Sequence, residues 1–369
     1  MGAAGYAAGM AAISFARGAP APECLDPELI ADCARAALER DGTTILSYGT
    51  GGGYGPLREV LAAQHGVAAN RVFVTAGGLQ GFVFYAAAQL MERPGRVLVE
   101  GPTYDRPLKI LARDGAEVVP VPMDDEGLDL DALEAELERG GEISFLYTIP
   151  TFQNPSGRTL GTDRRRRLVE LAAQYDLPIL EDDPYGRVRY DGDPVSSIHE
   201  LEGGERVTFT SSFSKTVAPG LRIGYFVVPE GLVAAYDDLA VSTYISPSLL
   251  PQATVFELID RGAFGPNLDR VRGLLKVRKD AMLSALEAEM PAGTSWSSPE
   301  GGYFLWLDFA EGVDSAALLE RATEAGVTFV RGSDFFPGAS DGRSSARLAF
   351  SYETPERIAE GVALLSSLL

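Results

Sequence analysis

Short apolar runs alternate with stretches of helical periodicity between residues 70 and 230, and this alternation restricts the fold more than any other feature of the chain. Seven of the runs are rich in Val, Ile, Phe and Tyr and have the length of strands, at 71–75, 96–100, 117–121, 144–149, 178–181, 207–210 and 223–228. Four periodic stretches lie between them, at 81–92, 106–114, 130–138 and 163–175. Strands that alternate with helices are typical of the α/β class, so we predict a large domain with a mostly parallel seven-stranded sheet.

The pattern changes after Pro229. Helical periodicity continues through residues 230–290, and strand-like runs at 303–309, 327–330 and 347–351 then surround a helix at 315–325. We predict a smaller α+β domain that the N-terminal segment completes. The expected boundaries are an N-terminal arm and part of the small domain at 1–47, the large domain at 48–275 and the small domain at 276–369. Residues 1–12 lack the basic stretch of a secretory signal and are predicted to form a loose arm.

Charge and composition exclude several classes of function. The chain has 52 acidic and 32 basic residues, a net charge of −20 that repels nucleic acid, and the basic run at 164–167 is predicted to be a solvated helix face. Apolar runs are too short to cross a membrane. Only two histidines occur, so no metal site is predicted. Cys24 and Cys33 form no disulfide framework, which suits a reducing cytoplasm.

Lys215 is the strongest candidate for a catalytic residue. It follows a predicted strand through a loop of small residues, where partial desolvation lowers the pKa of an amine and frees it for Schiff-base chemistry. The other lysines (Lys109, Lys276 and Lys279) lie in helical patterns beside charged residues and are predicted to be surface groups.

Three more loops follow predicted strands. Residues 75–80 contain two glycines and open a helix, so their backbone N–H groups favour a phosphate. Asp182 and Asp183 end a buried strand, where a carboxylate either caps a turn or stands beside a pyridinium nitrogen. The Asn154 loop has the composition of an ordinary turn.

Eight motifs in order make these loops one pattern: ISFARGAP (13–20), YGTGGGYGPLR (48–58), GPTY (101–104), QNPSG (153–157), EDDPY (181–185), SFSKTVAPGLRIG (212–224), PEGGYFLW (299–306) and RLAFS (347–351). Together they resemble the fold type I, class I/II aminotransferases that depend on pyridoxal 5′-phosphate (PLP), over nearly the whole chain from Ile13. The chain is most similar to the 2-aminoadipate/branched-chain aminotransferase-like subgroup. The resemblance implies amino group transfer between an L-amino acid and a 2-oxo acid, with 2-oxoglutarate expected, by ping-pong chemistry through an internal aldimine on Lys215.

The resemblance also assigns roles to single residues. The catalytic residues would be Lys215, Asp182 and Tyr104. Asp182 is preferred to Asp183 because it matches the family's Asp-x-x-Tyr spacing. Cofactor contacts would come from Gly78, Leu79, Tyr104, Asn154, Asp182, Tyr185, Ser212, Ser214, Lys215 and Arg222. Tyr48 would reach the phosphate of a partner subunit, which implies a homodimer.

Substrate contacts are expected from Arg347, Asn154, Gly18 and Arg17. Arg347 would bind the α-carboxylate, or else pair with an acid of the small domain. Arg17 replaces a usual glycine and would pair with a distal carboxylate at the pocket mouth, although it could equally face solvent or pair with Glu23. Arg331, where many relatives have proline, is the next candidate. Gly78 stands where serine is common in the family, so backbone N–H groups would have to bind the phosphate without a hydroxyl there.

Two alternatives stay open. A PLP-dependent lyase, decarboxylase or oxidase would share the same scaffold. A transcriptional regulator's effector domain is the non-enzymatic alternative, and the acidic charge and the early Ile13 motif argue against it.

Overall fold

The computed structural model describes residues 12–369, so most of the predicted N-terminal arm lies outside the described residues. The helices are α1 (Pro27–Ile45), α2 (Gly55–His65), α3 (Gly78–Glu92), α4 (Asp105–Arg113), α5 (Leu130–Glu138), α6 (Thr162–Gln174), α7 (Ile198–Glu202), α8 (Val233–Tyr244), α9 (Leu249–Asp260), α10 (Phe264–Glu289), α11 (Ser315–Ala325) and α12 (Pro355–Ser366). The strands are β1 (Ile13–Ser14), β2 (Val72–Thr75), β3 (Arg96–Gly101), β4 (Val118–Asp124), β5 (Gly127–Leu128), β6 (Ile143–Thr148), β7 (Ile179–Asp182), β8 (Val207–Ser212), β9 (Gly224–Val227), β10 (Ser295–Trp296), β11 (Phe304–Asp308), β12 (Val327–Thr328), β13 (Val330–Arg331) and β14 (Ser345–Ala349).

A large sheet in the order β2-β9-β8-β7-β6-β3-β4-β5 forms the centre of the molecule. Neighbours from β8 to β4 pair in parallel, whereas β9 is antiparallel to both β8 and β2. Every residue of β2, β6 and β9 is buried, as expected for strands covered on both faces. All seven predicted strands and all four predicted helices are present, which confirms the α/β class.

The eighth strand, β5, was not predicted. It contains only two residues, which pair antiparallel with the end of β4 after a tight turn. Two residues are too few to show alternation between apolar and polar positions, so the sequence carries no signal for this edge strand.

A second sheet, in the order β10-β11-β14-β13, is antiparallel throughout. The predicted strand at 327–330 is divided in the structure, because β12 pairs in parallel with β1 while β13 joins the second sheet. The pairing of Ile13 with Val327 ties the N-terminal segment to the C-terminal part of the chain. Helix α10 runs unbroken through residue 275. The domain boundaries therefore stay a prediction, and the one at 275 would fall inside a helix.

The parallel strands position the loops that matter for chemistry. Strands β3, β6, β7 and β8 end at one edge of the large sheet; β7 ends at Asp182 itself, and the other three lead into the segments that carry Tyr104, Asn154 and Lys215. In sheets of this kind the carboxyl edge is where ligands bind.

Candidate active site

One cavity of about 440 Å³ lies at this edge and brings the predicted site residues together. The predicted residues that line it are Gly18, Gly78, Leu79, Tyr104, Asn154, Asp182, Tyr185, Ser212, Ser214, Lys215, Arg222 and Arg347. A larger cleft of about 850 Å³ lies elsewhere, around Arg158, Arg164 and Trp296, and is lined by none of them. The smaller cavity is therefore the candidate active site.

Lys215 sits in this cavity three residues after β8 ends. Its Nζ donates a hydrogen bond to the backbone oxygen of Gly18 at 2.7 Å and lies 5.0 Å from the centre of the Tyr303 ring. Burial lowers the pKa of this amine to about 8, and the positive charges of Arg347 and Arg222 act in the same direction. A lysine with this pKa is neutral in roughly one molecule in ten at pH 7, far more often than an ordinary lysine, and the neutral form is the nucleophile.

Gly18 has to be a glycine for this contact to form. A Cβ at this position would lie 2.4 Å from the Phe304 ring, so the backbone approaches the cavity only because the side chain is missing.

The other lysines lie outside the cavity and are paired with acids. Lys109 donates to Asp105 at 2.6 Å on an exposed helix surface. Lys276 binds Asp191 at 2.8 Å. Lys279 also binds Asp191 at 2.6 Å, but it is buried, so its prediction as a surface group was wrong. It occupies the packed face of α10.

Asp182 and Asp183 have different surroundings. Asp182 lines the cavity, and its Oδ2 accepts a hydrogen bond from the Tyr147 hydroxyl at 2.8 Å. Burial, with the nearby charges of Asp183 and Glu100, raises the pKa of Asp182 to about 7, although the hydrogen bond from Tyr147 acts in the opposite direction. Asp183 accepts the backbone N–H of Gly186 at 2.7 Å and is absent from the cavity wall. Only Asp182 can face a bound ring, and a cationic partner there would favour its ionised form.

An anion-binding cradle forms one end of the cavity. Helix α3 begins at Gly78, and no side chain caps its N-terminus. The hydroxyls of Ser212 and Ser214 are 2.8 Å apart, and Arg222 donates to the backbone oxygen of Ala76 at 3.0 Å. Free N–H groups, two hydroxyls and a guanidinium are the donors that a phosphate requires.

Only one of the two glycines in this turn is required by the backbone conformation and the packing. Gly77 has φ of +93°, and a Cβ on it would lie 2.4 Å from Arg222 Nη2. A Cβ on Gly78 would meet nothing closer than 3.9 Å, so packing would accept a serine at this position. The missing hydroxyl contact at Gly78 is thus a property of this sequence, not a steric requirement.

Arg347 forms the opposite end of the cavity. The residue is only 7% exposed, and its guanidinium lies 4.2 Å from the centre of the Phe304 ring. It donates to Asn154 Oδ1 at 3.0 Å and to the backbone oxygen of Ala16 at 2.8 Å. Among residues 12–369 no carboxylate forms an ion pair with it, and its Nε has no hydrogen-bond partner. A buried guanidinium without an acid is a site for an anionic ligand, and the predicted alternative of an acid from the small domain is absent there.

Two buried charged residues that were not predicted hold the Asn154 loop in place. Glu100 accepts hydrogen bonds from Thr148 Oγ1, the Ile149 backbone and Gln153 Nε2. Arg165 donates to the backbone oxygens of Leu160, Ser196 and Pro150. Glu100 therefore holds the segment from Thr148 to Gln153, and Arg165 holds the two ends of the loop at Pro150 and Leu160.

The expectation that the whole basic run at 164–167 is solvated was therefore wrong at Arg165, which is 1% exposed. Helical periodicity could have identified it, because Arg165 shares the buried face of α6 with Leu168 and Ala172.

Three predicted residues lie away from the cavity. Tyr48 is exposed. Arg17 is exposed, with its guanidinium 4.0 Å from the centre of the Tyr352 ring, and Glu23 pairs with Arg278 instead. Arg331 binds Asp334 at 2.7 Å. Their proposed roles would require a partner subunit or a rearranged side chain.

The cavity fits PLP by the chemistry of its donors and acceptors. It offers one amine of lowered pKa, one buried carboxylate and one uncapped helix N-terminus with serines and an arginine. No cluster of acidic, histidine or cysteine side chains suited to a metal ion occurs within residues 12–369. None of the helices in the same range is long and apolar enough to span a membrane.

Comparisons with known proteins agree with this assignment. The family model "Aminotransferase class I and II" matches residues 17–364. The aromatic-amino-acid aminotransferase 1 of Thermococcus litoralis is 36% identical over 366 residues, which cover 97% of this chain and 88% of that protein. The crystal structure of Pyrococcus horikoshii kynurenine aminotransferase in complex with PMP has a TM-score of 0.92 at 36% identity, covering 97% and 91% of the two chains.

The α-aminoadipate aminotransferase of Thermus thermophilus, complexed with N-(5′-phosphopyridoxyl)-L-leucine, is similarly related. Its TM-score is 0.91 at 34% identity, with 97% of this chain and 92% of that chain covered. The fold type I assignment and the PLP cofactor are confirmed. The chain therefore belongs to the class I and II aminotransferases, and it is a PLP-dependent enzyme.

Proposed function

We propose that this aminotransferase moves an amino group from an L-amino acid to a 2-oxo acid, with 2-oxoglutarate as the expected acceptor, in two successive half-reactions of ping-pong type. One observation carries the proposal. A lysine amine with a pKa near 8 shares a single cavity with the buried carboxylate of Asp182 and with a buried arginine that lacks an acidic partner among the described residues. These groups correspond to attachment of the cofactor, control of its ring and binding of a substrate carboxylate.

Arg347 would bind the α-carboxylate of the substrate. A guanidinium has five N–H donors, and two of these are used by Asn154 and Ala16, so three remain for a carboxylate. Desolvation strengthens these charge-assisted bonds, and the planar fork fixes the orientation of the substrate. Asn154 and Gly18 would shape the same wall.

Lys215 would hold the cofactor through its amine and, once displaced by the substrate, would carry the α-proton on Nζ. Bound PLP supplies an electron sink that stabilises the negative charge developing at the substrate Cα. Asp182 would keep a proton on the ring nitrogen, because its carboxylate is buried and needs a cationic partner. Tyr104 would stack on the ring, and Asn154 and Tyr185 would bind the phenolic oxygen.

The phosphate would be bound by the backbone of Gly78 and Leu79 with Ser212, Ser214 and Arg222. All five line the cavity at the uncapped start of α3. A helix N-terminus stabilises an anion through its free N–H groups and its dipole.

A homodimer is part of the proposal. Tyr48, Leu46 and Ile245 are 85%, 71% and 58% exposed, and the Gly49 N–H donates to Ser246 Oγ, so the two segments that carry these side chains lie side by side. A surface of this kind favours contact with another protein. In a symmetric dimer it would bring Tyr48 to the partner's phosphate site.

We also infer a cytoplasmic location. Cys24 and Cys33 are buried and free, and unpaired thiols suit a reducing compartment.

The direct test is a set of half-reactions. The purified PLP form is mixed with single amino acids, and absorbance follows conversion of the cofactor to its amine form. We expect one equivalent of 2-oxo acid per equivalent of cofactor converted, and regeneration of the starting spectrum by 2-oxoglutarate. Release of ammonia, peroxide or carbon dioxide in the same stoichiometry would contradict transamination.

A further inference from the structure

We propose that Arg106 at the cavity mouth binds the distal carboxylate of dicarboxylic substrates and so determines specificity. The inference rests on the proposed function, because it names the substrate class of the same cavity. Arg106 is the second residue of α4, next to Tyr104 in the cavity wall, and it lines the cavity together with Arg347. Arg17, which the sequence favoured for this role, does not line it.

The charges of the cavity leave Arg106 without an assigned anion. Lys215 would hold the cofactor, Arg222 the phosphate and Arg347 the α-carboxylate, all within a chain whose net charge is −20. A fourth cation at the opening would attract a second negative charge on the ligand. A monocarboxylic substrate offers no such group.

The guanidinium of Arg106 is only loosely paired. Its nearest acid among the described residues is Asp105, at 3.7 Å from Arg106 Nη1, which is beyond hydrogen-bond distance. The same oxygen, Asp105 Oδ2, instead accepts Lys109 at 2.6 Å. Lys109 therefore offsets the charge of Asp105, which also lines the cavity and would otherwise repel an acidic ligand. The Arg106 side chain is 56% exposed, so it can reorient towards a bound carboxylate at little cost in packing.

Arg106 and Arg347 line the same cavity, and their charges interact. Burial lowers the pKa of Arg347 and the positive charge of Arg106 adds to this, while at Tyr104 burial raises the pKa and the charge of Arg106 opposes the rise, so the field of Arg106 reaches both residues of the cavity. Ile149, Phe304 and Pro20 line the cavity as well. A cavity that combines apolar walls with two cations suits an aliphatic chain with a carboxylate at each end.

The test compares acidic with aliphatic ligands, first in the half-reaction and then in binding without reaction. Half-reaction kcat/KM values for glutamate and leucine are compared in the wild type, Arg106→Gln, Arg106→Lys and Arg17→Gln. The matched control is Arg113→Gln, which removes the same charge from the exposed end of the same helix. A charge-assisted hydrogen bond corresponds to roughly a ten- to hundredfold effect on rate. We expect the glutamate/leucine ratio to fall by about that factor in Arg106→Gln, to recover partly in Arg106→Lys and to stay constant in Arg113→Gln.

A binding measurement separates this inference from the proposed function. Glutarate and pentanoate differ by one carboxylate and cannot react, so calorimetry on the PLP-loaded enzyme reads recognition alone. We expect Arg106→Gln to weaken the binding of glutarate and to leave the binding of pentanoate unchanged. This result is expected even if the enzyme proves not to transaminate. An unchanged glutarate preference, or a selective loss in Arg17→Gln with none in Arg106→Gln, would overturn the assignment.

Discussion

Lys215 differs from the other lysines in its surroundings, and this difference predicts a pH dependence. Because burial and two nearby guanidinium groups lower the pKa of Lys215 to about 8, its neutral, nucleophilic form increases as pH rises through that value. We expect the rate of PLP attachment to the apoenzyme to rise with pH and to level off above about 8. Absorbance of the attached cofactor measures this. If the rate levelled off only above about pH 10, where an ordinary lysine loses its proton, the amine of Lys215 would not be desolvated.

Asp182 and Asp183 can be distinguished by exchanging each for asparagine. Asp182→Asn should retain PLP but lower kcat by orders of magnitude, because a neutral ring nitrogen is a poor electron sink. Asp183→Asn should have a much smaller effect on kcat, since that carboxylate accepts a backbone N–H outside the cavity. Single-turnover rates of α-proton removal provide the comparison. The reverse order of effects would move the ring partner to Asp183.

Some residues of the site could be predicted from sequence, and others could not. Lys215, Asp182 and Arg347 lie within motifs whose order along the chain is specific, and all three line the cavity. The position of Arg106 at the cavity depends on how helices pack, because it lies in no motif, whereas helical periodicity could have indicated the burial of Arg165. Arg17 shows the converse, since its motif suggested the pocket mouth but its side chain lies on Tyr352.

At the scale of elements, Arg165 is one of the two buried charged residues that hold the loop from Pro150 to Leu160. Arg165→Met would leave the backbone oxygens of Pro150 and Leu160 without these donors, and it would remove the cation that lies 3.8 Å from the buried Glu181. Breaking a buried charge pair costs about 3–5 kcal/mol of unfolding free energy. We expect a loss of that size in urea titrations.

Arg166→Met is the matched control for this prediction. Arg166 is the next residue of α6, and its side chain is 64% exposed. Its removal should change the urea midpoint very little. Equal midpoints for the two variants would show that Arg165 does not support the loop.

The sequence predicted long elements well and short ones poorly. The strands of the large sheet are continuous buried runs, such as Ile143–Thr148, which the sequence marks by composition alone. Strands β5, β12 and β13 contain two residues each, and β12 is held by a pairing partner distant in the chain. Such strands follow from tertiary contacts that local sequence does not encode.

For the whole molecule, the position of Tyr48 predicts that cofactor binding depends on assembly. Because Tyr48 is exposed and does not line its own cavity, it can contribute to a phosphate site only in a second subunit. We expect PLP affinity to fall when the protein is diluted below its dimer dissociation constant. Tyr48→Phe should weaken PLP binding in the intact dimer. Equilibrium dialysis measures the binding, and sedimentation confirms that the dimer is intact. A monomer that binds PLP fully and turns over would contradict the proposed dimer.

The central claim, that Lys215 carries the cofactor, is tested most directly by chemical trapping. Borohydride reduction of the PLP-loaded enzyme fixes the cofactor on the amine to which it is attached, and peptide mass spectrometry locates the modified residue. We predict one equivalent of label on Lys215 and none in Lys215→Ala, which should still fold because the lysine side chain lines an open cavity and its truncation leaves no void in the packed core. Label on Lys109, Lys276 or Lys279, or full labelling of Lys215→Ala, would contradict the account.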